Sequence, residues 1–138
     1  MSDLLERIAR REDDIVREWS RALRKLPNSP YALMDEDALA LSIRRSCQAL
    51  LHVMQTGNTD SMTAVLQDSA RRRVAEGIRF SDTIAAWLLY RQVVQEVLGA
   101  DLHDPDAWEQ LVDRVSAVLD WVMRTIYAVY ETAGQFED

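Results

Sequence analysis

Hydrophobic residues recur every three or four positions along most of this chain, which is the spacing of one face of an α-helix. Glycine and proline fall between these periodic stretches, where helices end and begin. The pattern therefore predicts five helices and no strand. Their predicted ranges are 3–26, 35–55, 60–76, 81–98 and 105–133.

The connections between the predicted helices are short, so neighbouring helices are expected to pack against each other. We therefore expect an all-α fold, a five-helix antiparallel bundle with a long C-terminal helix. A globin-like packing of the same helices is the alternative. A chain of 138 residues can bury roughly two-thirds of its unfolded surface, which is sufficient for one domain over residues 1–138.

The predicted C-terminal helix carries more apolar surface than packing against one neighbour requires. One stripe repeats with alternating steps of four and three, the heptad spacing of paired helices. Its members are Trp108, Val112, Val115, Leu119, Val122, Ile126 and Val129. Either this helix is sandwiched inside the domain or its surplus face meets a second copy of the chain, and we expect a homodimer through this stripe.

Three charged residues interrupt helix faces that otherwise predict core. Glu12 lies between Ile8 and Val16, Arg91 lies on an apolar face of the fourth predicted helix, and Arg73 ends the third. An unpaired buried charge is costly, so we expect a buried polar core of Glu12, Arg73 and Arg91. Glu12 is the expected partner of Arg91, with Arg73 as a competitor for the same acid. The alternative is that Arg91 bonds to backbone carbonyls at a helix end.

The spacing signatures of catalysis and cofactor binding are absent from the sequence. There is no glycine-rich phosphate loop, and neither histidine belongs to a Glu-x-x-His pair. We expect His52 and His103 to be exposed, and Cys47 to be a small core residue and not a reactive thiol. The sequence thus predicts no catalytic residue, no metal site and no cofactor.

The net charge of −7 is unevenly placed, because residues 101–138 carry nine acidic and two basic side chains. This acidic segment does not favour a phosphate backbone, and the run Arg71-Arg72-Arg73 is explained as a helix C-terminus. No stretch reaches the ~20 apolar residues of a membrane span, and the charged N-terminal turn lacks a signal peptide's apolar core. We expect a cytoplasmic protein that neither binds nucleic acid nor inserts into a membrane.

A specific pattern marks the junction of the third and fourth predicted helices. It reads Arg73-x-x-x-Gly77-Ile78-x-Phe80-Ser81-x-x-Ile84 and continues as Leu89-Tyr90-Arg91. This pattern resembles the N-terminal regulatory domain of RsbRD-type stressosome proteins, and similar domains precede sensor histidine kinases. The resemblance implies a helical, dimeric, non-enzymatic input domain. Its C-terminal helix would pass the signal to a downstream signalling protein or output domain.

Two other classes of function stay open on the residues alone. A globin-like or other small-molecule-binding sensor would have a cavity among Trp19, Trp87 and the methionines. A small helical enzyme built on buried arginines would have a pocket lined by Arg73, Arg91 and Glu12. The sequence ends at Asp138, so we expect either a stand-alone partner or a part of a larger sensor.

Overall fold

The computed structural model describes residues 2–27 and 29–134, and its regular structure is helical. The described helices are α1 Ser2–Arg10, α2 Glu12–Arg24, α3 Glu36–Thr56, α4 Asp60–Ala75, α5 Phe80–Gly99 and α6 Pro105–Thr132. A short 3-10 helix, Pro30–Leu33, connects α2 to α3. The all-α fold predicted from the periodicity is confirmed. None of these described helices is long and apolar enough to cross a lipid bilayer.

The first predicted helix, 3–26, is two helices, because the chain turns at Arg11. The Arg11 backbone lies at φ −101° and ψ 17°, outside the usual helical values. Its guanidinium bonds to the carboxylate of Asp101 in the loop after α5, and Arg7 donates to the carbonyl of the same residue. These bonds to a distant loop accompany the turn, and no glycine or proline marks it in the sequence.

The ends of the later helices follow the predicted signals. Asp35 caps α3 by accepting a hydrogen bond from the amide of Ala38 at 3.1 Å. Asp104 caps α6 in the same way, directly before Pro105 at the first helical position. Gly57 follows α3 with a φ of +72°, a left-handed conformation that glycine adopts at no steric cost.

Helix α6 packs against both α4 and α5, and α2 packs against α3 and α5. The six helices share one hydrophobic core, in which Tyr90, Leu98, Leu111 and Val122 have no exposed surface. Burying each large apolar side chain contributes about 1.5–3 kcal/mol. This shared core fixes how the helices lie against each other.

The heptad stripe of the C-terminal helix belongs to this core, so its prediction as a dimer face is wrong. Four of its seven members are at most 1% exposed, and the other three are partly buried. The buried four are Val115, Leu119, Val122 and Ile126, and the partly buried three are Trp108, Val112 and Val129. Because α6 lies between α4 and α5, the sandwiched arrangement accounts for the stripe. The outer surface of α6 includes charged residues, as in the 2.7 Å ion pair of Arg124 with Asp120, and the apolar ring of Tyr127, which is 45% exposed.

Candidate functional site

A cavity of about 60 Å³ lies where α2, α3, α4, α5 and the 3-10 helix meet. We call it the Arg73 cavity, after the charged residue of α4 in its wall. Trp19 of α2 and Trp87 of α5 also line it. A cavity at these two tryptophans is the feature expected of a small-molecule sensor, although none of its lining residues is a methionine.

The wall of the Arg73 cavity is polar on the α4 side and apolar on the α2 and α5 sides. Helix α4 contributes Ser69, Arg72 and Arg73, and the α3 side adds the hydroxyls of Ser42 and Ser46. The apolar part of the wall is formed by Trp19, Leu23, Ile43, Ala86 and Trp87. No acidic side chain is among the described lining residues. Arg72 and Arg73 both line the cavity, whereas Glu76, the carboxylate that pairs with Arg73, does not, so the wall favours the entry of negative charge.

Arg73 lies at the centre of this arrangement, with 17% of its side chain exposed. One terminal nitrogen, Nη1, donates to Glu76 Oε1 at 2.7 Å. Its Nε is buried and has no hydrogen-bond partner among the described residues. Burial lowers the pKa of the guanidinium, but Tyr31 and Glu76 raise the pKa by more, so the group keeps its charge. Arg73 is therefore a partly buried cation whose Nε has no partner among the described residues.

A second cavity, of about 80 Å³, lies on the other side of Arg73 and Tyr31. These two residues line both cavities. The remaining wall of the second cavity comes from the loop after α2 and from the start of α5, which contributes Asp82 and Thr83. Tyr31, in the 3-10 helix, thus borders two small cavities that also share Arg73 as a lining residue.

An aromatic cluster supports the apolar side of the Arg73 cavity. Trp19 donates its indole N–H to the carbonyl of Ala86 at 3.0 Å, which fixes the ring against α5. Its ring meets Trp87 edge-on at 5.7 Å and Tyr90 at 5.1 Å between centroids. Tyr90 is fully buried, and its hydroxyl has no partner among the described residues. Trp19 thus connects the rings of Trp87 and Tyr90 in one aromatic cluster.

The turn between α4 and α5 determines where Arg73 lies. Gly77 has a φ of +77°, the amide of Ile78 bonds to the Arg73 carbonyl at 2.9 Å, and the Gly77 amide bonds to Val74. These two bonds around a left-handed glycine form a Schellman motif, which closes the α4 C-terminus. The Arg73-x-x-x-Gly77-Ile78 pattern thus has a structural basis. The α5 helix begins at Phe80, one residue before the predicted start, and Arg79 occupies its cap position.

A buried polar link, which the sequence pattern did not predict, joins this turn to α6. The hydroxyl of Tyr130 donates to the Ile78 carbonyl at 2.7 Å and lies 2.9 Å from Thr83 Oγ1. A tyrosine hydroxyl has one hydrogen, so Thr83 donates to the Tyr130 oxygen. Thr83 is 6% exposed and Tyr130 has no exposed surface. Burial raises the pKa of Tyr130, so its hydroxyl stays protonated.

Glu12 does not pair with Arg91, and this prediction is wrong. Its carboxylate accepts a 2.6 Å bond from Arg44 Nη1 of α3 and a longer one from Gln48. Arg44 also reaches Asp13 at 2.8 Å. The Glu12 side chain is 23% exposed, so it lies at the edge between α2 and α3 and not in a polar core.

Arg91 is exposed, so its predicted burial is also wrong. Helix α5 is apolar almost all round, and its inward face contains Thr83, Ala86, Tyr90 and Val94. Arg91 lies about 100° from Tyr90 around the helix, at the border of that face. Periodicity alone does not tell which apolar face is inward on such a helix. Of the three predicted core charges, only Arg73 lines the cavity.

The thiol and the two histidines are placed as the sequence predicts. Cys47 is 6% exposed, and burial raises the pKa of its thiol to about 12. His52 and His103 are both exposed. The described residues contain no group of three or more His, Cys, Asp or Glu side chains that could hold a metal ion.

Comparison with known proteins gives one informative match. No curated protein and no solved structure matches this chain. A family model described as the RsbT co-antagonist protein rsbRD N-terminal domain matches residues 13–135, which contain the Arg73 cavity and the α4–α5 turn. The match covers most of the chain and agrees with the resemblance seen at that turn. The chain therefore belongs to the family of RsbRD N-terminal domains.

Proposed function

We propose that this chain is a non-catalytic input domain of a bacterial signal-transduction system that acts by regulating a protein partner. The observation that carries the proposal is the family match over residues 13–135. Since the family is described as co-antagonists of RsbT, we propose that the partner is an RsbT-type protein. The chain would oppose that partner together with other antagonists.

The packing of the last helix suggests how a signal would leave the domain. The Tyr130 hydroxyl of α6 bonds to the Ile78 carbonyl in the α4–α5 turn. The same turn holds Arg73 through its own carbonyl. A change at Arg73 would therefore alter the support of α6 near its C-terminal end. We propose that α6 is the element through which the domain acts on its output.

Deletion in the native host tests this function. An in-frame deletion of residues 1–138 should change the dose-response of stress-induced transcription, because it removes the regulatory input. The exposed substitution Gln55→Ala provides the matched control and should leave the response as in the wild type. An unchanged dose-response in the deletion strain would contradict the proposal, as would substrate turnover by the purified chain.

Small-molecule sensing is a second candidate function, and the Arg73 cavity favours it. Trp19 and Trp87 line the cavity together with the cationic side chain of Arg73. Its volume of about 60 Å³ is far below the ~300–1,000 Å³ of sites for drug-sized ligands or cofactors. A sensor built on this cavity would detect a small ion or metabolite and not a haem.

Homodimerisation and a cytoplasmic location both stay predictions from the sequence. The heptad stripe of α6 is buried in the monomer, so a homodimer would use another surface. Sedimentation velocity at micromolar concentration tests self-association directly. A single species of 15.8 kDa at every concentration would contradict the dimer.

A further inference from the structure

We propose that the Arg73 cavity binds a short-chain monocarboxylate, with the carboxylate on the Arg73 guanidinium and the carbon chain against Trp19 and Trp87. The proposal identifies the chemical class of the signal, and its biological meaning rests on the regulatory function proposed above. Three features of the cavity support it, namely its charge, its size and its division into a polar and an apolar side.

The charge of the wall selects an anion. Arg72 and Arg73 both line the cavity, whereas no described lining residue is acidic. The whole chain carries a net charge of −7, so this positive wall is local and opposite in sign to the protein. The Glu76 carboxylate that meets Arg73 is 49% exposed and bonds to one terminal nitrogen only. The other terminal nitrogen of Arg73 has no ion pair among the described residues, so the guanidinium keeps donor capacity beyond its bond to Glu76.

The shape of the acceptor follows from the guanidinium of Arg73, which lines the cavity. A guanidinium presents its N–H groups in one plane, and a carboxylate matches this geometry with its two coplanar oxygens. Ser69 of α4 and Ser42 of α3 line the same space and offer additional hydroxyl donors. An anion at Arg73 would therefore be held by charge-assisted and neutral hydrogen bonds at once.

The volume limits the ligand to a few non-hydrogen atoms. About 60 Å³ accommodates a short carboxylic acid but no nucleotide, sugar phosphate or aromatic acid. The apolar side of the wall would contact the carbon chain, which loses unfavourable contact with water there. Inorganic phosphate and sulfate have no apolar part and would make no favourable contact with the apolar side of the wall. The division of the wall thus favours propionate-like ligands over inorganic anions.

Binding at Arg73 would also alter the proposed output of the domain. The backbone carbonyl of Arg73 accepts a hydrogen bond from the Ile78 amide at the end of α4, and the Ile78 carbonyl accepts one from the Tyr130 hydroxyl of α6. A carboxylate that competes with Glu76 or moves the Arg73 side chain would change the position of this turn. The ligand would therefore act on α6 without contacting it.

Calorimetric titration of the full chain with sodium propionate tests the proposal. We expect saturable binding with a Kd of about 1 mM, a plausible affinity for so few non-hydrogen atoms. Arg73→Gln should raise the Kd by at least about tenfold, because it removes a charged and partly buried donor. Arg71→Gln removes the same charge from an exposed position outside the cavity, and should change the Kd less than about twofold.

A second variant keeps the test decisive if Arg73→Gln does not fold. Ser42 is exposed at the rim of the cavity, so Ser42→Leu fills the space while it retains both arginines. A folded Ser42→Leu protein should bind propionate at least about tenfold more weakly. Circular dichroism melting checks that each variant is folded.

Ligand analogues separate the proposed chemistry from other sources of binding. Propionamide has the same size without the charge and should not bind measurably, and inorganic phosphate should bind more weakly than propionate. Absence of saturable propionate binding would overturn the proposal. So would equal binding by a folded Arg73→Gln or Ser42→Leu protein, or equal binding of propionamide or phosphate. Titration measures binding by the purified chain alone. Absence of propionate binding would therefore contradict this proposal and leave the regulatory function to the separate test in the deletion strain.

Discussion

The guanidinium of Arg73 lies over the ring of Tyr31, with 5.3 Å between its central carbon and the ring centroid. Tyr31 comes from the short 3-10 helix, whereas Arg73 comes from the end of α4, so the contact joins two otherwise separate parts of the chain. A cation over an aromatic face is stabilised by the quadrupole of the ring. The pair therefore both closes the Arg73 cavity and keeps its charged residue in place.

Removal of the Tyr31 ring should destabilise the protein. Tyr31→Ala loses the cation–π contact and the apolar area that the ring buries, and should lower the free energy of unfolding by about 1–2 kcal/mol. Urea unfolding followed by circular dichroism measures this change. Tyr31→Phe keeps the ring and should retain most of the stability. Equal losses in the two variants would indicate that the ring is not the stabilising group.

The ion pair of Glu12 with Arg44 should be detectable by a double-mutant cycle. Both side chains are partly exposed, so we expect a coupling of about 0.5–1 kcal/mol between Glu12→Ala and Arg44→Ala. Glu12→Ala and Arg91→Ala should be additive, because Arg91 is exposed elsewhere on the surface. Coupling of Glu12 with Arg91 and none with Arg44 would contradict the structure.

The helices were predictable because their ends carry local signals. Asp35, Asp104 and Gly57 act as caps through bonds within one turn of the chain, and such bonds are visible in sequence. The break at Arg11 was not predictable, because its side chain bonds to Asp101, ninety positions away. Signals within a few residues of a helix end cannot indicate a bonding partner that comes close only when the chain folds.

The candidate site was predictable only in part. Arg73, Trp19 and Trp87 were singled out in the sequence, but their meeting depends on how five elements pack. Arg91 was misplaced because α5 has apolar residues on every side, so its inward face is determined by its neighbours. Tyr31 was missed because it lies in a loop region without periodicity. The Pro30-Tyr31 pair in the connection between α2 and α3 was the signal available.

The link between Thr83 and Tyr130 should contribute measurably to stability. Tyr130→Phe leaves the Ile78 carbonyl without its donor, and should cost about 1–3 kcal/mol. Thr83→Val should also destabilise, since it removes the hydroxyl that bonds to Tyr130. The double variant should lose less stability than the sum of the two single losses, because it contains neither hydroxyl and so leaves neither one without its partner. Strictly additive losses, measured by urea unfolding, would contradict this hydrogen-bonded link.

Cys47 should make the protein less stable at high pH. Burial raises the pKa of its thiol from 9.0 to about 12, so above pH 9 the unfolded chain ionises while the folded chain does not. The stability from this group is therefore complete below pH 9 and is lost between pH 9 and about 12. The free energy of unfolding of the wild type minus that of Cys47→Ala should fall by up to about 1.4 kcal/mol per pH unit over this range. A difference independent of pH would contradict the burial of the thiol.

Charged substitutions in the α6 stripe should unfold the protein and not separate a dimer. Val122 has no exposed surface and Ile126 is 1% exposed, so a lysine at either position would bury an unpaired charge. We expect Val122→Lys to abolish the cooperative unfolding transition seen by circular dichroism, or to lower its midpoint strongly. Ala117→Lys is the matched control, because it introduces the same group on the exposed side of the same helix and should leave the transition nearly unchanged. A folded Val122→Lys protein with a reduced sedimentation coefficient would mean that the stripe is an interface between copies and that α6 does not lie inside the domain.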